Sequence, residues 1–149
     1  MKTSQKGIDL IKGFEGFKEE PYKCSAGVWT IGYGTTFYPN GIAVSEQDPE
    51  ITRGQAEQYL KAALEKFEKG VEKKVTSLLS QNQFDALVSF CYNLGLAAFS
   101  QSSMLKLINA GKFLLSAEEF VKWNKAAGKE VEGLTKRRKK ERDLFLADY

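Results

Sequence analysis

EGFKEEPYKCSAGVWTIGYGTT, residues 15–36, is the stretch on which the fold turns. It opens with three carboxylates, Glu15, Glu19 and Glu20, passes through Cys24, and carries Thr30 inside an aromatic run broken by glycines. Upstream, Ile8, Ile11 and Phe14 recur at helical spacing, and Thr3 or Ser4 can cap the start. A helix therefore ends near Glu15, with Gly13 and Gly16 weakening its close. Downstream, Pro21, Gly27, Gly32, Gly34, Pro39 and Gly41 recur every few residues. Between them 28–31 and 42–44 read as short strands, and Asn40-Gly41 as a hairpin turn. A small antiparallel sheet is expected here, with Glu19 and Glu20 as solvated loop charges.

From Thr52 the period is helical. Thr52 and Gln55 match a capping box, and Ala56, Tyr59, Leu60, Ala63, Phe67, Val71, Val75 and Leu78 follow at steps of three and four. One long helix is expected over 52–79, bent at Gly70, with the charged residues from Glu65 to Lys74 as its solvated face. Ser80 caps QNQFDALVSFCYNLG, apolar nearly all round and so the central buried helix, ended by Gly95. A short helix is expected over 103–110 before Gly111, another opening at Ser116 with Glu119 as a capping box, a loop at Gly128 and Gly133, and a last basic helix starting at Thr135. The class is α+β. One domain spans 1–149, with a β lobe at 15–51, a connecting helix at 52–79, and a helical lobe from 1–14 and 80–149.

Hydrophobic content of 42% and charged content of 28% suit a globular domain, and a net charge of +3 is mildly basic. That charge suits a polyanionic partner such as nucleic acid or an acidic cell wall and selects neither. There is no histidine, so acid–base chemistry falls to carboxylates, a thiol, a tyrosine or a lysine. Cys24 and Cys91 form no CxxC pair, which argues against a disulfide framework and a zinc site. The start, MKTSQKGIDLIKGFEG, shows no apolar run of signal or anchor length.

Two readings stand for Glu15: a turn glutamate, or a general acid placed at a helix end among aromatics. Cys24 is a small hydrophobe or a reactive group. Glu15, Cys24 and Thr30 share a cleft if the chain doubles back through Pro21 and Gly27. Cys91, beside Phe90 in the apolar helix, reads as core.

The spacing of glutamate, eight residues, aspartate or cysteine, five residues, threonine resembles that of phage-type lysozymes, glycoside hydrolase family 24. Here it is Glu15, Cys24 and Thr30. GVWTIGYGTT resembles the strand and turn after that triad, and ITRGQAEQYL, NQFDALVSFCYNLG, AAFSQSSMLKLIN and GLTKRRKKERDLF resemble later segments in order. The resemblance implies a lysozyme-like fold, a small β lobe and a larger helical lobe joined by a long helix. It implies an endolysin that hydrolyses β-1,4 bonds between N-acetylmuramic acid and N-acetylglucosamine and lyses the host, with no metal or cofactor. Glu15 then matches the general acid and Thr30 the threonine that holds water or the sugar face. Cys24 stands where the family usually has aspartate, and three roles remain for it: thiolate base, water-orienting thiol or covalent nucleophile.

By the same resemblance Tyr33, Thr35 and Thr36 line the sheet side of a cleft, and Phe90, Asn93 and Ser102 the helical side. Phe90 is equally well read as core, and Tyr33 as a cover for the sheet. Arg137 is expected near Glu15. The basic run Lys136–Lys140 is a solvated face, an attraction to acidic wall or lipid, or a helper to the site. The expected partner is peptidoglycan, with no nucleic acid and no stable membrane anchor. A monomer would wait in the host cytoplasm until a holin lets it reach the wall. A wall-binding module without catalysis and a membrane-active basic helix are the rival readings.

Overall fold

The computed structural model describes all of residues 1–149. Seven helices and two small antiparallel sheets follow in the order α1 (Gln5–Glu15), β1 (Lys18–Lys23), β2 (Trp29–Gly32), α2 (Arg53–Lys74), α3 (Gln81–Leu94), α4 (Leu96–Ser100), α5 (Ser103–Asn109), α6 (Phe113–Glu119), β3 (Lys125–Ala126), β4 (Lys129–Glu130) and α7 (Glu132–Phe145). This is an α+β architecture. The chain divides into two compact units, residues 8–65 and residues 1–7 with 66–149.

In the unit of 8–65, β1 and β2 form a hairpin. Its register pairs Lys18 with Gly32, Tyr22 with Thr30 and Lys23 with Trp29, and shifts between the first two pairs. Pro21 lies in that irregularity, where a strand tolerates a residue without an N–H. This strand was expected as loop. Its residues are half-buried or exposed throughout, so no apolar alternation marks it. The second expected strand, 42–44, contributes only a single bridge, Phe37 to Ala43. The turn before it is as expected: Gly41 N–H reaches Tyr38 O at 2.8 Å, Tyr38 N–H reaches Ile42 O at 2.9 Å, and Gly41 takes φ 87°. Gly32, at φ 66°, lets β2 approach α2, since a Cβ there would stand 3.1 Å from the Ala56 methyl. The core of this unit is Ile8, Ile11, Ile31, Tyr33, Val44, Ile51, Ala56, Leu60 and Leu64.

In the other unit α3 is the buried centre, with Phe84, Ala86, Leu87, Val88, Phe90 and Cys91 fully enclosed. Ser80 and Gln83 close its capping box. Thr52 and Gln55 do the same for α2, at 2.9 and 3.1 Å. α2 ends at Lys74, short of the expected 79, because the next residues take partners from α5: Thr76 N–H bonds Asn109 Oδ1 at 2.8 Å and Ser77 Oγ bonds Ile108 O at 2.7 Å. Leu78 is left 96% exposed. Gly70 meets Leu96, whose methyl lies 2.5 Å from where a Cβ would stand.

Three further expectations change. α6 begins at Phe113, so Ser116 lies inside it and its hydroxyl bonds Phe113 O at 2.7 Å instead of capping. α7 begins at Glu132 and contains Gly133 and Thr135. Ala127 and Gly128, at φ 51° and 79°, turn the small hairpin before it, where a loop was expected. Glu68, placed on the solvated face of α2, is buried and accepts from Thr3 N–H at 2.8 Å and Thr3 Oγ at 2.7 Å.

The basic run on α7 splits by residue. Lys136, Lys139 and Lys140 are exposed, whereas Arg137, Arg138 and Glu141 are buried. Arg138 donates to Asn93 at 2.8 Å and to Glu141 at 3.2 Å, Arg137 to Glu141 at 3.3 Å, and Ser89 Oγ to Glu141 at 2.5 Å. Burial pushes the Glu141 carboxyl up, against the pull of Arg138 and Arg137.

Candidate active site

Glu15 is the last residue of α1 and half-buried. The helix stops there because Gly16 takes φ 72° while its N–H still bonds Lys12 O at 3.0 Å. The chain then turns directly into β1. Lys12, one turn earlier, is tied to Glu57 of α2 at 2.7 Å, which anchors the end of α1.

Cys24 stands at the tip of the β1–β2 hairpin. Cys24 N–H bonds Val28 O at 3.0 Å, Gly27 N–H bonds Cys24 O at 2.8 Å, and Gly27 takes φ 78°. This tight turn brings main-chain donors to the sulfur. The Val28 and Ala26 N–H groups and the Thr30 side chain hold the thiol below its ordinary value, against partial desolvation. Thr30 is nearly enclosed, and its hydroxyl donates to Val28 O at 2.9 Å. Alternation along the ladder sets the rest. Tyr22 faces Thr30, and Cys24 follows Tyr22 by two, so Tyr22, Cys24 and Thr30 share one face. Lys23 and Trp29 share the other, the ammonium 5.5 Å from the ring centroid.

Tyr22 was missed in the sequence because β1 was read as loop. Recognising the strand makes it visible as the residue two before Cys24. Burial, then the nearby charge of Glu15, then that of Cys24 raise its phenol above the usual range. One side chain therefore lies within the field of both the carboxylate and the thiol.

The expected sugar contacts divide by burial. Phe90 is fully enclosed, edge-on to Phe99, Phe120 and Trp123 and 5.2 Å from the Arg138 guanidinium. It is core and offers a sugar no surface. Ser102 caps α5, accepting from Leu105 N–H at 3.1 Å and donating to Phe99 O at 2.7 Å. Tyr33 is covered, its ring 5.6 Å from Phe17 and 5.3 Å from the Lys12 ammonium. Thr35 is buried and bridges Ile31 through its main chain at 2.9 Å in both directions. Arg137 is buried against Glu141 and Ser89. Thr36 is half-buried and Asn93 exposed. Both cysteines are free; burial pushes the thiol of Cys91 far up.

A family model described as phage lysozyme matches residues 12–141. The chain belongs to the phage lysozyme family. Within that family it is 45% identical over 148 residues to an endolysin of Bacillus phage B103, covering 98% of this chain and 54% of that one. It thus spans about half the length of that relative. Among solved structures, the endolysin of Escherichia coli O157:H7 phage FAHEc1 superposes with a TM-score of 0.90 at 44% identity, covering 100% of this chain and 96% of the other. The muramidase domain of SpmX from Asticaccaulis excentricus superposes with a TM-score of 0.87 at 36% identity, over 97% of each chain. The architecture is therefore the lysozyme-like α+β fold of this family.

Proposed function

We propose that the chain is a muramidase of endolysin type, which hydrolyses β-1,4 bonds between N-acetylmuramic acid and N-acetylglucosamine in peptidoglycan and so lyses the host cell. What supports this reading is membership of the phage lysozyme family, with Cys24 and Thr30 on one face of the hairpin that follows the helix ending at Glu15. In the proposed reaction Glu15 gives its proton to the leaving glycosidic oxygen as the bond to the anomeric carbon breaks. A water attacks that carbon, and its released proton passes to the Cys24 thiolate. Thr30, fixed against Val28, keeps its lone pairs toward that water. Solvent then returns a proton to Glu15 and takes one from Cys24, which resets both groups. The main-chain donors around the sulfur favour a thiolate over a neutral water-orienting thiol.

Thr36 and Asn93 are the proposed glycan contacts that have side-chain surface to give. The enzyme needs no metal or cofactor on this reading. It acts as a monomer that waits in the host cytoplasm for a holin. Its residues 15–51 serve as the β lobe, 52–79 as the connecting segment, and 1–14 with 80–149 as the helical lobe.

Mass spectrometry of digested peptidoglycan tests the assignment. The parent should release fragments with reducing muramic acid ends, and Glu15→Gln should lose about 10²- to 10⁴-fold in rate. Fragments cut at peptide bonds, or lysis by Glu15→Gln at the parent's rate, would overturn it. The second outcome would favour a membrane-active helix, which the burial of Arg137, Arg138 and Glu141 speaks against.

A further inference from the structure

We propose that Tyr22 is a further catalytic residue of this site, its phenol oxygen facing the sugar at the bond being cut. This rests on the muramidase reading above. Tyr22 lies directly across the ladder from Thr30 and two residues before Cys24, so its side chain leaves the hairpin on the face that carries both. The register shift between Lys18 and Tyr22 sets that pairing: a regular strand from Lys18 onward would put Tyr22 opposite Val28. The ring is half-buried and lines an open groove of about 540 Å³ together with Phe17, Lys18, Glu19, Glu20, Pro21 and Arg53, a groove whose lining does not include Glu15, Cys24 or Thr30, so the ring itself is open to a ligand. The hydroxyl makes no hydrogen bond within the protein, whereas the neighbouring Thr30 hydroxyl does. A polar group without a partner, on the same face as two members of the proposed triad, is free to meet a ligand.

The chemistry fits the position. Burial, and then the charges of Glu15 and Cys24, oppose ionisation of the phenol, so it is neutral at neutral pH. A neutral phenol adds no third anion beside the carboxylate and the thiolate. Its oxygen still offers lone pairs to the positive charge that develops at the anomeric carbon as the bond breaks, and its O–H can meet the thiolate or the water. Such a contact strengthens as charge appears, so it acts on the transition state more than on the bound substrate.

Tyr22→Phe on soluble, uncrosslinked glycan strands tests this. The ring, its packing and its contact with Lys18 remain, and no bond within the protein is lost, so the melting temperature should stay at the parent's value. The expected result is a kcat lower by on the order of 100-fold with KM within about twofold. A kcat within about twofold of the parent's would overturn the assignment, and so would a loss confined to KM. If Tyr22→Phe melts early, rates taken where both proteins are folded decide the matter by the same criterion. The product analysis of the parent keeps the two readings apart. A parent that cuts no glycan bond sinks the muramidase assignment, whereas a parent that cuts glycan beside an equally fast Tyr22→Phe sinks only this one.

Discussion

Cys24 places a thiol where the family resemblance leads one to expect a carboxylate, and its surroundings determine what a sulfur can do there. A free thiol is mostly protonated at neutral pH, with a pKa of about 8.5. Here the N–H groups of Val28 and Ala26 favour the sulfur anion. Because the native pKa lies below the unfolded one, the associated stabilisation is present above the ordinary thiol value and is lost as pH falls through the native one. Iodoacetamide should therefore label Cys24 at pH 7 faster than it labels a model thiol, with a rate midpoint below about 8.5. Cys91, enclosed and held protonated, should stay unlabelled until the protein unfolds. In turbidity assays Cys24→Ser should lose most of the activity and Cys24→Asp should keep a good part. Full activity in Cys24→Ser would reduce the thiol to a spacer.

At the scale of one element, α1 carries a paired test in Gly7 and Gly13. A Cβ on Gly7 would lie 2.7 Å from both Asp85 Cγ and Thr3 Cγ2. Asp85 has little room to yield, because it accepts from Ser4 N–H at 3.0 Å and Gln81 Nε2 at 2.8 Å, and also from the Ser4 hydroxyl. Overpacking costs about 1–3 kcal/mol and a weakened charged hydrogen bond adds to it, against a helix gain of up to about 1 kcal/mol. Gly7→Ala should thus lower the melting temperature by roughly 4–8 °C. Gly13 has nothing within 4 Å, so Gly13→Ala should raise stability by up to about 1 kcal/mol. Calorimetry on both variants checks the pair, and equal shifts of one sign would refute the packing account. The same scale explains what the sequence hid. β1 is exposed, charged and interrupted by Pro21, so no alternation reveals it, and Tyr22 stayed hidden with it. The start of α6 was misplaced because Ser116 and Glu119 imitate a capping box while the hydroxyl turns inward to Phe113 O.

At the scale of the molecule, the charges that matter most are out of solvent. Glu141 has no exposure, and it balances Arg138 and Arg137 while accepting from Ser89 of α3. Its contact with Arg138, Nε to Oε1 at 2.8 Å, is a charge contact rather than a well-aligned hydrogen bond. Replacing it by glutamine leaves the buried Arg138 guanidinium without its anion, which costs about 3–5 kcal/mol. Glu141→Gln should melt roughly 6–20 °C below the parent in thermal denaturation, and a change of under about 2 °C would mean that the pair is not what holds α7 to α3.

What the chain determines by itself is local. Helix periods, the caps at Thr52 and Ser80, the turn at Gly41 and the spacing of Glu15, Cys24 and Thr30 all follow from residues within a few positions of one another, where steric preference and hydrogen-bonding reach decide the outcome. Tertiary structure alone decided which polar residues go inside. Glu68 is buried because Thr3 waits for it, Arg138 and Glu141 because α3 brings Ser89 and Asn93 to them, and Phe90 is withdrawn from any sugar by three aromatic neighbours. The desolvation of a charge or a ring depends on partners far away in the sequence, and no local pattern records them.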